Sequence, residues 1–231
     1  MNDLSKLESR IGVKFNNPDL LQQALVHRSY INENPGFKLD HNERLEFLGD
    51  AVLELIVTEN LYKKYPNPEG ELTNWRAALV NANKLAEVAE KIDLNDFVLL
   101  SRGEAKDTGR ARHYILANAF EALIGSIYLD QGFKAAQKFV ESFILDELPE
   151  ILKFGTYRDA KSIFQEESQD KIGVTPGYEV IDEWGPDHAK NFKVGVFLGG
   201  ELIAEGEGIS KQEAQQKAAE AALEKKGWNG K

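Results

Sequence analysis

The chain has 231 residues and a net charge of −10, with 28 Lys and Arg against 38 Asp and Glu. It contains no cysteine, which excludes disulfides, iron–sulfur clusters and thiolate zinc sites. Hydrophobic residues make up 42% of the chain, which is ordinary for a folded protein. The sequence has neither a signal-peptide core at its start nor a stretch that approaches a membrane span, so we expect a cytoplasmic protein.

The acidic balance extends over the whole chain. Residues 156–231 contain 10 Lys and Arg against 14 Asp and Glu, and residues 1–155 contain 18 against 24. Because nucleic acids attract basic surfaces, any contact with phosphates must come from local placement of cations. Carboxylates, in turn, are the groups that hard divalent metals require.

Helical patterns dominate residues 1–152. Asn17 before Pro18 predicts a helix start, with Asn17 as the N-cap. Apolar spacing predicts further helices over about 43–64, 72–91, 113–130 and 133–152. Residues 101–112 lack any periodicity and are predicted to be a loop.

The pattern changes after residue 154. A helix is predicted over about 159–171, followed by strands over 178–184, 191–198 and 201–207. Gly199-Gly200 predicts a two-residue hairpin turn, and Ser210 with Glu213 predicts a capping box at the start of a last helix that ends before Gly227. We therefore expect a multi-domain protein, with an all-α N-terminal domain followed by an α+β domain of order α-β-β-β-α.

Carboxylates and an amide recur at helical spacing in two segments. Glu43, Glu46 and Asp50 stand at i, i+3 and i+7, so they share one helix face. Asn118 and Glu121 stand at i and i+3 on a second predicted helix. Were the two helices adjacent, these oxygen-bearing side chains would converge as a ligand set suited to Mg²⁺ or Mn²⁺, and not to zinc.

Spacing alone leaves a simpler reading of these residues open. In a chain with 38 acidic residues, chance pairs on solvated helix faces are common. Asp40 could also be an N-cap, with Glu43 as its capping-box partner.

Residues 42–53, NERLEFLGDAVL, resemble the signature of the ribonuclease III family along its whole length. The resemblance continues through residues 69–73, 76–80, 102–104 and 115–129. It covers nearly all of the first domain, and implies that residues 1–153 form a ribonuclease III endonuclease domain.

The resemblance assigns roles position by position. Glu43, Glu46, Asp50 and Glu121 match the acidic active-site positions of the family, and Asp50 and Glu121 correspond to catalytic residues that bind the metal directly. Glu46 and Asn118 complete the implied metal site. Many bacterial members have aspartate where this chain has Asn118, whose amide oxygen can still coordinate Mg²⁺ but brings no charge. We expect activity to be retained, with weaker metal binding.

The chemistry implied by the resemblance is Mg²⁺-dependent hydrolysis of double-stranded RNA, with Mn²⁺ as a substitute. The expected products carry a 5′-phosphate, a 3′-hydroxyl and a two-nucleotide 3′ overhang. The expected substrates are structured RNAs such as ribosomal RNA precursors, together with messenger RNA. Members of the family act as homodimers, and Phe47 falls at their subunit interface; its alternative role is that of a core aromatic. No Walker loop or dinucleotide fingerprint is present, so no nucleotide cofactor is expected.

Residues 157–227 resemble a double-stranded-RNA-binding domain, which reads the shape and 2′-hydroxyls of A-form RNA. The positions implied to contact the minor groove are Lys161, Ser162, Gln165 and Glu166 on the first helix and His188 in the loop after the first strand. Lys211 opens the last helix, where unpaired backbone N–H groups and the helix dipole favour phosphates, and Lys217 is expected nearby.

The sequence leaves two other functions open. A non-catalytic double-stranded-RNA-binding protein that keeps the fold is favoured only by Asn118. A metal-dependent hydrolase of small substrates would leave the second domain unexplained. Trp75 and Trp184 are expected to be core or structural residues and not stacking platforms.

Overall fold

The computed structural model describes residues 3–106, 108–154, 160–186 and 190–228. Its contacts divide the chain into two compact units, Met1–Tyr157 and Arg158–Lys231. The first unit is helical, and the second contains a helix, three antiparallel strands and a last helix. The predicted fold class is therefore confirmed.

Nine helices of the first unit lie in the described ranges: α1 (Leu4–Ile11), α2 (Pro18–Ala24), α3 (Arg28–Glu33), α4 (Glu43–Lys64), α5 (Glu69–Val80), α6 (Ala82–Lys91), α7 (Arg110–Gln131), α8 (Phe133–Phe143) and α9 (Leu148–Phe154). The two longest, α4 and α7, pack against each other. Buried Leu53, Ile56, Phe120 and Leu123 belong to the core around them. No helix in the described parts of the chain has both the length and the apolar character needed to cross a membrane.

Two predicted helix boundaries agree closely with the structure. The Asn17 side chain accepts a hydrogen bond from the Asp19 N–H at 3.2 Å, which is the predicted N-cap of α2. Helix α4 has the predicted bounds, 43 to 64. The buried positions Leu45, Val52 and Ile56 follow the apolar spacing that predicted it.

The helix predicted over 72–91 is two helices, because Asn81 is extended and separates α5 from α6. Its side chain accepts from the Lys84 N–H at 3.0 Å and so caps α6. Its Nδ2 donates to the carbonyls of Ala77 and Ala78, so it also satisfies the end of α5. Leu79 and Leu85 are both fully buried, so the apolar spacing continues across the break. The spacing therefore gave no sign that the helix is interrupted.

The helix predicted over 133–152 is also interrupted. Helix α8 ends at Phe143, the short 3-10 helix Leu145–Glu147 follows, and α9 begins at Leu148. Pro149 has no N–H to donate and its ring would clash with the carbonyl four residues earlier, so one continuous helix cannot run through it. The predicted loop 101–112 was too long, because α7 already begins at Arg110.

The second unit contains α10 (Ala160–Ile172), β1 (Gly177–Trp184), β2 (Asn191–Leu198), β3 (Glu201–Gly208) and α11 (Lys211–Lys226). The strands form an antiparallel sheet in the order β1-β2-β3. Gly199 and Gly200 have φ values of 58° and 90°, so both are left-handed, as a hairpin of this twist requires. The Ser210 side chain accepts from the Glu213 N–H at 3.2 Å, and Glu213 accepts from the Ile209 N–H at 3.0 Å. These two bonds close the predicted capping box one residue further upstream than expected.

Helix α11 lies close against the sheet because small residues line the contact. Ala218, Ala219 and Ala222 are fully buried in a core that also contains Phe164. A Cβ on Gly206 of β3 would collide with the backbone of Ala214 and Ala218. The position of α11 on the sheet thus depends on a strand glycine and a row of helix alanines.

Candidate active site

Two glycines set the distance between α4 and α7. A Cβ on Gly49 would overlap the carbonyl group of Glu121, and a Cβ on Gly125 would overlap the carbonyl of Leu45. The backbones therefore touch, and side chains that flank the contact come together. Glycine inside a helix costs roughly 1 kcal/mol relative to alanine. Two glycines at unfavourable helix positions were a sequence signal for a close helix contact, and that signal was not used in the sequence analysis.

The close approach gathers four of the predicted site residues. Glu46 on α4 forms a side-chain hydrogen bond with Asn118 on α7. The charges of Glu46 and Asp50 both act on Glu121 of α7. The two helices are adjacent in the manner that the spacing argument required.

The electrostatics of this cluster are unfavourable for ionised carboxylates. The pKa of Glu121 is raised to about 8, first by burial and then by the nearby charges of Asp50 and Glu46. The pKa of Glu46 is also raised, first by burial and then by the charges of Glu43 and Asp50, while the hydrogen bond with Asn118 opposes the rise. A bound cation would relieve this repulsion.

Glu43 lies at the start of α4, close to a guanidinium group and an imidazole ring. Its carboxylate is 3.6 Å from the Arg28 guanidinium and 3.7 Å from the Nδ1 of His41. The alternative in which Asp40 caps the helix is wrong, because Asn42 occupies the N-cap position. Asn42 is buried and donates its Nδ2 to the Ala24 carbonyl at 3.1 Å, which fixes where α4 begins.

The donors of the cluster suit a hard divalent metal in chemistry. They are carboxylate and amide oxygens, which Mg²⁺ and Mn²⁺ bind in preference to zinc. Within the described ranges, however, no three His, Cys, Asp or Glu side chains are grouped as they stand to hold a metal ion. Asp50 is exposed and Glu46 is half-buried. Together with Asn118 and Glu121, they are the residues that would hold such an ion.

Phe47 is 81% exposed, so its alternative role as a core aromatic is wrong. Leu55 and Tyr62 follow it along α4 and are 57% and 80% exposed. The spacing of these residues places them on one side of the helix. We call this set, Phe47, Leu55 and Tyr62, the exposed α4 face.

The residues predicted to contact the minor groove lie on α10. Ser162, Gln165 and Glu166 are exposed, and their spacing of i, i+3 and i+4 places them on one face. Lys161 is more constrained. Its Nζ donates to the Gln215 side chain of α11 at 2.7 Å and lies 5.1 Å from the centre of the Tyr178 ring.

The start of α11 presents an exposed lysine, as predicted. The Nζ of Lys211 lies 5.7 Å from the centre of the Phe192 ring. Lys217 is paired with Glu213 at 2.9 Å, so part of its charge is already neutralised. His188 lies outside the described residues.

The two tryptophans considered in the sequence differ in their surroundings. Trp75 is 6% exposed and belongs to the core of the first unit, as expected. Trp184 is 42% exposed at the end of β1, so of the two expected roles, core or structural, the core role is excluded.

Each of the two units matches a known protein family. Residues 17–148 match the family model described as Ribonuclease-III-like, and residues 160–226 match the double-stranded RNA binding motif. The curated Ribonuclease 3 of Desulforamulus reducens is 47% identical over 95% of this chain and 90% of its own length. That of Staphylococcus aureus is 48% identical over 93% of this chain and 88% of its own length.

A solved structure is similar to the first unit. The nuclease domain of ribonuclease III from Campylobacter jejuni is 40% identical, with a TM-score of 0.58, over 64% of this chain and 99% of that domain. The identities and coverage confirm the resemblance found in the sequence. The chain belongs to the ribonuclease III family, and it is a ribonuclease that carries a double-stranded-RNA-binding domain.

Proposed function

We propose that the chain cleaves double-stranded RNA by Mg²⁺-dependent hydrolysis at a site formed by Asp50 and Glu121, with Glu46 and Asn118 beside them. One observation carries the proposal. The Glu121 carboxyl group is held in a partly buried place beside two other carboxyl groups, and its pKa is raised to about 8. Such an arrangement costs stability on its own and is typical of functional sites.

Each residue of the site has a proposed role. Asp50 and Glu121 bind the metal directly, and Asn118 holds Glu46 through their hydrogen bond. Glu43 adds negative charge at the edge of the cluster. When bound, Mg²⁺ stabilises the charge that develops on the phosphate and on the leaving oxygen, and Mn²⁺ substitutes for it. The products carry a 5′-phosphate and a 3′-hydroxyl, with 3′ overhangs.

The proposed RNA contacts come from residues 157–227, and the nuclease site from residues 1–153. Ser162, Gln165 and Glu166 lie exposed on one face of α10, and Lys161 is on the same helix. Lys211 stands at the start of α11, where backbone N–H groups favour a phosphate. We also assign His188 to the RNA-binding surface.

We propose that the enzyme is a homodimer formed through the exposed α4 face. A large apolar face open to water favours association. The Campylobacter jejuni nuclease domain, which is similar to the first unit, is described as having a region involved in dimer formation. The proposed substrates are structured RNAs such as ribosomal RNA precursors, together with messenger RNA, and the proposed location is the cytoplasm.

The test is incubation of the purified protein with long duplex RNA in the presence of Mg²⁺ or EDTA, followed by analysis of the product ends. We expect cleavage with Mg²⁺ only. Glu121→Gln should abolish cleavage and keep RNA binding, whereas Glu150→Gln, on α9, should behave as the unaltered chain. Cleavage by Glu121→Gln at a normal rate would refute the assignment. Binding without cleavage by the unaltered chain would favour the non-catalytic alternative.

A further inference from the structure

The second unit has an acidic net charge although it carries the RNA-binding motif, and its carboxylates are not evenly placed. Its sheet has two faces. Val196 and Leu198 point to the helices, where they pack in the core with Phe164 and the alanines of α11. Side chains alternate along a strand, so Lys193, Gly195 and Phe197 point to the opposite side. We call that side the outer sheet face.

Three apolar side chains meet on the outer sheet face. A methyl group on Gly195 would lie 2.6 Å from Ile181, 2.8 Å from Leu202 and 2.9 Å from Phe197. These side chains therefore close over the glycine. Ile181 and Leu202 remain 45% and 40% exposed, so the small cluster that they form with Phe197 is open to solvent.

An exposed tryptophan extends the same face. Asp182 pairs with Lys193, which points to the outer sheet face. Trp184 stands two residues after Asp182 and pairs with Asn191, so its side chain points to the same side. It stands three residues from Ile181, or roughly 10 Å along the strand. It is 42% exposed. Exposed aromatic rings of this kind are common at protein interfaces and attract cationic side chains.

The rim of the outer sheet face is acidic. The strand register places Glu179, Asp182, Glu205 and Glu207 on this side. The Nζ of Lys193 lies among them, 2.8 Å from Glu205 and 3.6 Å from Glu207. Of the described side chains on this face, four carboxylates thus face one lysine, which is already paired.

We propose that the outer sheet face binds a basic segment of another protein that also carries apolar side chains. The apolar cluster would take the apolar side chains, and the carboxylates and Trp184 would take the lysines or arginines. The charge argues against the other occupants. RNA is a polyanion and would be repelled, and a second copy of the face would present the same acidic rim. Apart from His188, the proposed RNA contacts lie on α10 and α11 and not on the outer sheet face, so RNA and this partner would use largely different residues.

The test uses the full chain and a fluorescein-labelled short peptide in which lysine alternates with leucine, with binding followed by anisotropy. Two control peptides replace leucine with serine or lysine with glutamate. We expect the lysine–leucine peptide to bind at least about tenfold more tightly than either control. Equal binding of the serine peptide or of the glutamate peptide would overturn the proposal.

Variants locate the binding to this face. The double variant Ile181→Ser and Leu202→Ser should weaken peptide binding by about tenfold, since the two changes together remove apolar area worth that order. Ile172→Ser, at the exposed end of α10, is the matched control and should bind as the unaltered chain does. Equal binding by the double variant and the unaltered chain, or equal losses in the double variant and the control, would overturn the proposal.

A second pair of variants tests the charge and does not disturb the apolar cluster. Glu205→Gln with Glu207→Gln should weaken peptide binding and reduce its salt dependence. Glu220→Gln with Glu224→Gln, on α11, removes the same charge from the same unit and should have less effect. An equal effect of the two pairs would contradict a specific acidic rim.

The other occupants appear as separate outcomes. In EDTA, the Ile181 and Leu202 double variant should bind duplex RNA as tightly as the unaltered chain, which also shows that the unit is folded. A loss of RNA affinity while the fold is kept would assign the face to RNA. A loss of self-association in sedimentation would assign it to a second copy. Either result would overturn the proposal.

Discussion

The carboxyl group of Glu121 links the stability of the first unit to pH. Its pKa is raised from about 4.5 to about 8, first by burial and then by Asp50 and Glu46. Folding therefore favours the protonated group. The stability that it contributes is fully present below pH 4.5 and is lost as the pH rises through 8.

Glutamine at this position imitates the neutral acid at every pH. In EDTA and above pH 8, Glu121→Gln should therefore have a higher unfolding free energy than the unaltered chain, by roughly 1–3 kcal/mol, and a higher denaturant midpoint. This free-energy difference is smaller than the full pKa shift would give, because the side chain is partly exposed to solvent. Near pH 4.5 the difference should vanish. Urea unfolding at both pH values measures it, with Glu150→Gln as the control. A variant that is less stable than the unaltered chain above pH 8 would contradict the electrostatic account.

Asn118 is the uncharged member of the proposed metal site. Asn118→Asp adds a carboxylate beside Glu46, so it should lower the Mg²⁺ concentration needed for half-maximal cleavage. In EDTA the same change should destabilise the fold, because it adds a like charge to the cluster. Cleavage rates across a Mg²⁺ titration give the first result, with Asn60→Asp of α4 as the control. A large loss of activity at every Mg²⁺ concentration would show that Asn118 has another role.

Among the elements, the pair α4 and α7 positions the site through glycine. Gly49→Ala would place a methyl group on the carbonyl of Glu121 and force the helices apart. We expect a loss of about 2–4 kcal/mol in unfolding free energy, as for overpacked cores, together with loss of cleavage. Gly70→Ala on α5 is the matched control, because a methyl group there meets nothing within 4 Å. If the unfolding curves of the two variants coincide, the backbones of α4 and α7 do not meet at Gly49 as described.

The elements also show what the sequence can and cannot predict. Helix α4 and strand β2 follow from apolar period, and the start of α2 from its N-cap, because these signals are local. The break at Asn81 was missed because two helices that pack on one core keep a common period. The raised pKa of Glu121 could not be predicted either. It depends on burial and on a neighbour seventy or so positions away in the chain, which only the packing of α4 on α7 supplies.

At the scale of the whole molecule, the exposed α4 face predicts self-association. Phe47→Ser removes the most exposed aromatic of that face, so it should raise the dissociation constant of the proposed dimer by at least about tenfold. Sedimentation velocity over a range of concentrations measures this change. Ile172→Ser, which is also an exposed apolar position, should leave the constant unchanged. An unaltered chain that stays monomeric at all concentrations would contradict the dimer.

Net charge and RNA binding are compatible because the charges of the second unit are unevenly distributed. Helices α10 and α11 together carry six Lys against six Asp and Glu, whereas the outer sheet face has four carboxylates and one lysine. Acidic residues cluster on the outer sheet face, while Lys161 and Lys211 lie on the helices that cover the other face. The total of −10 therefore describes the chain but not the surface that RNA would meet.

In the proposed site, Asp50 and Glu121 bind one hard divalent ion between α4 and α7. The most direct measurement is a Mn²⁺ titration of the full chain, with the free ion followed by electron paramagnetic resonance. We predict that the chain removes Mn²⁺ from solution, that Mg²⁺ displaces it, and that Asp50→Asn with Glu121→Gln abolishes the uptake while Glu150→Gln keeps it. Equal Mn²⁺ uptake by the unaltered chain and the Asp50 and Glu121 double variant would contradict the claim.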